Sequence, residues 1–111
     1  MVQHASDLDP VLAALSDPTR RGIVERLGRS DASISGLAEE FEMTLTGIRK
    51  HVRILEDAGL VTTEKIGRVR TCRLGPSRLD TLRAWIDTYR RALDARLDRL
   101  EAFLELTGED P

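Results

Sequence analysis

Apolar residues along the chain recur mostly at intervals of three and four, the rhythm of helices with one buried face. Asp9-Pro10 precedes Val11, Leu12 and Leu15, and Asp17-Pro18 precedes Ile23, Val24 and Leu27. Aspartate caps helices well and proline is tolerated at the first helical position, so two helices are predicted to begin at these pairs. Gly28 is placed to close the second in a left-handed conformation. Ser35 is expected to cap a short helix that turns Leu37, Ala38 and Phe41 inward. Met43-Thr44 then makes a turn, with Thr44 as the next cap.

The helix predicted over 44–58 is the most informative. Leu45, Ile48, Val52 and Leu55 form its apolar stripe. At about 100° per residue the opposite face carries Thr46, Gly47, Lys50 and Arg53, with Arg49 and His51 on the flanks. Ile54 also leans outward, which the stripe does not explain. Gly47 is a poor helix former, costing about 1 kcal/mol in an interior; in this first turn it would let the helix approach something closely. Gly59 ends the helix. Two short strands, LVTTEKI and VRTCRL, flank Gly67-Arg68 and predict a hairpin over 60–74 whose tip and arms carry Lys65, Arg68, Arg70 and Arg73. Cations on such strands also serve simply to discourage edge-to-edge aggregation.

A long helix is predicted over 77–106, about 45 Å at 1.5 Å per residue. Leu79, Leu82, Ile86, Tyr89, Leu93, Leu97, Leu100 and Leu104 follow at coiled-coil-like spacings, with one shift around Leu93. A domain of this size cannot cover that length from its own chain. Ile86, Tyr89, Leu93, Leu97, Leu100 and Leu104 are therefore expected to meet a second copy of the chain, together with Val11, Leu12 and Leu15. The competing arrangement folds the distal stripe back onto Val11, Leu12 and Leu15 of the same chain.

Composition narrows the chemistry. The 111 residues suit one domain, 1–111, with 32% charged and only 4% aromatic residues, so aliphatic side chains must build the core. The amino terminus lacks the basic start and apolar run of a signal peptide, and the longest wholly apolar run, Val11 to Leu15, is far too short for a membrane span; a cytoplasmic protein without membrane contact is expected. Cys72 is the only cysteine, which excludes an intrachain disulfide.

Net charge is −2, yet Thr44 to Arg73 holds seven Lys/Arg against Glu56, Asp57 and Glu64, a local +4 on an otherwise acidic chain. Such a segment is either a focused anion-binding surface or a merely solvated patch. His51 alone would suit a metal ligand, a catalytic base or a polyanion contact. His4, His51 and Cys72 come from three different elements, whereas soft-metal sites need several convergent ligands, so no metal and no cofactor is expected. Asp80, Asp87, Asp94 and Asp98 lie among arginines at helical spacings and read as a charge-paired solvated face. No glycine-rich phosphate loop or zinc-protease motif occurs, so no enzyme is expected.

The order helix, helix, short helix, turn, helix, hairpin, long helix gives a fold that is mainly α with a β wing: a winged helix-turn-helix with a long C-terminal dimerisation helix. Its second helix places an exposed face in the DNA major groove, and arginines of the wing suit the adjacent backbone or minor groove. At this level of detail the chain resembles the ArsR/SmtB family of bacterial winged-helix regulators. LSDPTRRGIVERL is similar to the family's opening helix, SGLAEEFEMTLTGIRKHVRILEDAGLV to its helix-turn-helix, and EKIGRVRTCRL to its wing. The likeness is close from about Leu12 to Leu74 and looser beyond. It implies a homodimer paired through its first and last helices, binding imperfect palindromes in double-stranded DNA and usually repressing transcription.

Two departures bear on function. Where the family usually has a small serine two residues before the histidine, this chain has Arg49. The Cys-x-Cys metal pattern is absent from SGLAEEF, and the long helix has no histidine. The expected function is therefore a homodimeric repressor without metal control. The DNA-contact set is Thr44, Thr46, Gly47, Arg49, Lys50, His51, Arg53, Lys65, Arg68 and Arg70, with Thr46 and Lys50 nearest base edges and Arg49 holding a phosphate or reading guanine. The alternatives are a metal- or small-ligand-responsive sensor, and a winged helix whose basic face meets an acidic protein.

Overall fold

The computed structural model of the chain describes residues 3–108. Five helices and three strands follow in the order α1 (Gln3–Ala14), α2 (Pro18–Leu27), β1 (Ala32–Ser33), α3 (Ile34–Glu40), α4 (Leu45–Asp57), β2 (Val61–Ile66), β3 (Val69–Leu74) and α5 (Pro76–Thr107). The sheet is antiparallel in the order β1-β3-β2. This is the mainly helical, winged helix-turn-helix architecture predicted above, with β2–β3 as the wing. The chain falls into two compact units, Met1–Thr81 and Leu82–Pro111.

In the first unit α4 packs against α1, α2, α3 and β2. Val11, Ile23, Leu37, Ile48, Leu55, Leu60, Val61 and Cys72 are fully shielded there, and no charged or polar residue is buried among those described. Each large aliphatic side chain so placed contributes about 1.5–3 kcal/mol, enough for a small core without aromatics.

Local chemistry fixes the ends of α4. The Thr44 hydroxyl accepts from the Gly47 N–H at 3.0 Å, which satisfies one of the free donors of the first turn. At the other end Gly59 takes φ 77°. Leu60 N–H then donates to Leu55 O and Gly59 N–H to Glu56 O, both at 2.9 Å, the paired bonds of a Schellman cap. In the wing, Gly67 takes φ 64° at the first position of a two-residue turn while Arg68 does not, the II′ arrangement that matches strand twist.

The structure corrects several expectations. α1 starts at Gln3, not at Asp9, and Pro10 lies inside it. Proline removes a backbone donor there, but Leu8, Val11 and Ala14 are all buried, and this stripe at intervals of three carries the helix through. Val11 is thus part of its own chain's core and not an outward interface residue; Leu12 is exposed and Leu15 half-buried. Gly28 closes α2 in a right-handed conformation, φ −64°, with its N–H still bonded to Val24 O. Ser33, not Ser35, caps α3, its hydroxyl accepting from Gly36 N–H at 3.0 Å. Strand β1 was not expected; its two residues pair with Thr71 and Cys72. Leu45, counted in the α4 stripe, is 44% exposed because it sits at the very start of the helix.

In the second unit the chain is helical from Leu82 to Thr107. Most of its large apolar side chains are open: Ile86, Tyr89, Leu93, Leu97 and Leu100 are 42–59% exposed, whereas Leu104 is half-buried. Trp85 lies beside Tyr89, with ring centroids 4.8 Å apart, and widens the same apolar face.

Candidate nucleic-acid interface

Burying Ile48, Val52 and Leu55 of α4 turns Thr46, Arg49, Lys50 and Arg53 outward, and all four are exposed. The only ion pair among these cations in the described residues is Arg53 with Asp57 at 3.9 Å, both side chains largely in solvent, where such a pair contributes little. A cleft of about 870 Å³ lies between this helix and the sheet. Thr46, Arg49, Lys50, Arg53 and Ile54 line it from α4, and Thr63 and Arg70 from the strands. Ile54, unexplained by the stripe, is accounted for here: its outward lean forms part of the cleft wall. A second cleft of about 480 Å³ adjoins the wing, lined by Leu45 and Arg49 on one side and Lys65, Arg68, Val69 and Arg70 on the other. Arg49 and Arg70 belong to both.

The pleat sorts the wing's cations. Val61, Thr63 and Lys65 stand opposite Leu74, Cys72 and Arg70, and in an antiparallel sheet directly opposed residues share a face. Thr63 and Arg70 line the cleft against α4, which identifies this as the face toward the helix. Arg73, opposite Thr62, lies on the other face and pairs with Asp31 at 3.3 Å. Of the arginines in the strands, then, only Arg70 joins the cationic cleft. Its Nη1 donates to Thr63 Oγ1 at 3.0 Å, and the Thr63 hydroxyl donates to Glu56 Oε2 at 2.8 Å. Sequence reasoning missed Glu56 and Thr63, because it treated acidic and neutral residues near the basic segment only as reductions of its charge.

Two residues of the expected contact set have close neighbours within the chain. A Cβ on Gly47 would meet Met43 Cε and Thr44 Oγ1 at 3.2 Å, so the cap at the start of α4 leaves little room for a side chain there. His51 is turned into the seam between α2 and α4, its side chain only 20% exposed. Arg20 Nη1 lies 3.3 Å from His51 Nδ1; a guanidinium can only donate, so Nδ1 accepts. Asp17 Oδ2 is 4.0 Å from the same nitrogen, too far for a hydrogen bond. Arg20 also donates through Nε to Ala14 O at 2.7 Å. One side chain thereby ties the end of α1, the start of α2 and α4 together. Asp17, the α2 cap, has its carboxyl held below its ordinary pKa, chiefly by the Arg20 backbone N–H.

Cys72, on the helix-facing side of β3, has no exposed surface. Burial, and then the Glu56 carboxylate, push its thiol from 9.0 up to about 11. A protonated, buried thiol is a poor nucleophile. Among the described residues no three of His, Cys, Asp and Glu come together where they could hold one metal ion; the His4 side chain lies outside those described. No helix among the described residues is long and apolar enough to cross a membrane.

Comparison with known proteins gives a consistent set of likenesses. Residues 15–64 match a family model described as a helix-turn-helix domain. The HTH-type transcriptional regulator Rv2034 of Mycobacterium tuberculosis is 33% identical over 81 residues, which cover 73% of this chain and 76% of that protein. The arsenical resistance operon repressor of Staphylococcus xylosus is 31% identical over 73% of this chain and 78% of its own. A crystal structure of an ArsR family transcriptional regulator is 38% identical, with a TM-score of 0.78 over 85% of this chain and 97% of that one.

Proposed function

The chain belongs to the ArsR family of winged helix-turn-helix transcriptional regulators, and from that premise we propose that it is a homodimeric repressor binding an imperfect palindrome in double-stranded DNA without metal control. The observation that carries this reading is the gathering of cations on two facing elements: Arg49, Lys50 and Arg53 on α4, Lys65, Arg68 and Arg70 on the wing. An α-helix fits the major groove, where Thr46 and Lys50 are nearest the base edges. Arg53 and the wing cations then lie where the sugar-phosphate backbone and minor groove pass. Arg49 holds a phosphate, since it sits on the flank of the helix that faces the wing. Repression draws support from the Staphylococcus relative, which is named for it.

Dimerisation rests on α5. Seven large apolar side chains in the second unit, Trp85 and Phe103 among them, stay about half in water, and each 100 Å² of such surface withdrawn from water yields roughly 2.5 kcal/mol. A second copy supplies the same face, which is the economical way to cover it.

The test is equilibrium binding to a labelled duplex from the region upstream of the chain's own gene, with sedimentation of the free protein and the complex. Wild type binds as two protomers per site. Affinity falls with salt by about 0.9 log units per log unit for each phosphate neutralised, and Lys50→Ala binds weakly. Absence of binding at low salt, or full binding by Lys50→Ala combined with Arg68→Ala, would overturn the DNA reading in favour of a protein partner. Zinc that shifts the affinity of wild type would overturn the metal-free assignment.

A further inference from the structure

We propose that Glu56 and Thr63 are positioning residues for DNA binding: they set the pose of the Arg70 guanidinium so that it clamps a backbone phosphate at the mouth of the cleft. The proposal rests on the DNA-binding reading above and assigns a task to two residues that carry no positive charge.

The direction of the relay follows from donor counting. A threonine hydroxyl has one proton and two lone pairs. The Thr63 proton is spent on Glu56 Oε2 at 2.8 Å, which leaves a lone pair turned to Arg70 Nη1 at 3.0 Å. Arg70 therefore engages a neutral oxygen, not the carboxylate itself. It keeps its full charge at the cleft and most of its five N–H donors, enough for a two-pronged bond to phosphate.

Arg73 shows the contrast within the same strand. It meets Asp31 directly at 3.3 Å on the opposite sheet face, so its charge is compensated on the spot. Glu56 anchors its end of the relay on α4, the helix that enters the groove, while Arg70 stands on β3. The two bonds thus fix the distance from recognition helix to wing cation, which must match the distance from groove floor to backbone. An arginine without this brace would have to give up the rotamer freedom of a long side chain on binding.

The experiment measures affinity for the same upstream duplex from about 50 to 200 mM salt for wild type, Thr63→Val, Arg70→Ala, their double variant, Glu56→Gln and Lys50→Ala. Thr63→Val keeps the β-branched shape and removes only the hydroxyl; its unfolding midpoint is measured alongside. The expected result is a roughly 5- to 10-fold loss for Thr63→Val at low salt and a salt slope shallower by about 0.9, the signature of one lost phosphate. In the Arg70→Ala background Thr63→Val has no further effect, and Glu56→Gln, which retains an acceptor, lies between wild type and Thr63→Val. A Thr63→Val protein with the wild-type slope, or with equal effects in both backgrounds, shows that the bonds merely fasten the wing and overturns the proposal. If Lys50→Ala is impaired while Thr63→Val is not, the DNA reading stands and the relay falls. If wild type binds no duplex at all, both fall.

Discussion

Glu42, in the turn of the helix-turn-helix, has a left-handed backbone, φ 52°, the one non-glycine residue with positive φ among those described. It occupies the position that follows the α3 cap Phe41. Glu42 N–H donates to Glu39 O at 3.2 Å and Met43 N–H to Ala38 O at 2.9 Å, the same cap that Gly59 makes at the end of α4. For an L-residue this conformation costs roughly 1–2 kcal/mol, because Cβ crowds the following carbonyl. Glu42→Gly removes that cost. It also frees the unfolded chain, which returns about 0.4–1 kcal/mol. The expected net gain is therefore about 0.5–1 kcal/mol, or a few degrees in Tm. The Glu42 side chain is exposed, so Glu42→Ala serves as control: it deletes the same carboxylate and keeps the Cβ. Urea unfolding of the three proteins at one fixed protein concentration, so that association does not shift the midpoint, reads the difference. The glycine variant should exceed the alanine variant by at least half a kcal/mol. Equal midpoints would mean that the turn carries no backbone strain, and the argument from φ would be wrong.

Arg20→Ala should destabilise by roughly 2–3 kcal/mol, since it strips a charged donor from the Ala14 carbonyl and from His51. Arg20→Lys should not restore that loss, because Arg20 meets Ala14 O and His51 through two separate nitrogens and lysine has only one; thermal unfolding of both variants checks this. Cys72 makes stability depend on alkaline pH. Its folded pKa is raised from 9.0 to about 11, so its contribution is complete below about pH 9 and is lost as pH rises through 11, amounting to roughly 2–3 kcal/mol. In Cys72→Ala that decline should flatten; an unchanged slope would assign the alkaline loss to other groups.

What could be read from the sequence was whatever a single element encodes by itself. Thr44, the triplet Ile48, Val52 and Leu55, and Gly59 gave the cap, the buried face and the stop of α4, because cap, period and left-handed glycine all act within a few residues. The long apolar repeat of α5 and the Gly67 turn were legible for the same reason. What failed depended on neighbours. Pro10 looked like a helix start until Leu8 and Ala14 were seen buried on either side of Val11, and a two-residue strand such as β1 has no alternation to detect. His51 lies on the flank of its helix, but only the placement of Arg20, 31 residues earlier, turns that flank into an interior seam. The wing's cations looked equivalent in order along the chain. The register, which pairs Arg70 with Lys65 and Arg73 with Thr62, makes them different.

The same sorting explains how a chain of net charge −2 can present a cationic face to DNA. Several arginines of the first unit that lie off the cleft are engaged locally. Arg20 and Arg21 bond to the carbonyls of Ala14 and Leu15 at 2.7 and 2.8 Å. Arg26 is held by Glu40 and by Ser30, and Arg73 by Asp31. On the cleft side, among the described residues, the one acidic side chain hydrogen-bonded within the lining is Glu56, and it is occupied by a hydroxyl instead of a cation. The relevant electrostatic quantity is therefore not the local sum of +4, which includes Arg73 and subtracts Glu56 at full weight. It is the set Arg49, Lys50, Arg53, Lys65, Arg68 and Arg70, brought to one side by the phase of one helix and the pleat of one hairpin. Counterion release scales with the phosphates such a set neutralises and not with the net charge of the protein. An acidic chain is thus compatible with tight, salt-sensitive DNA binding, and its remaining negative charge opposes contact with DNA through any other face.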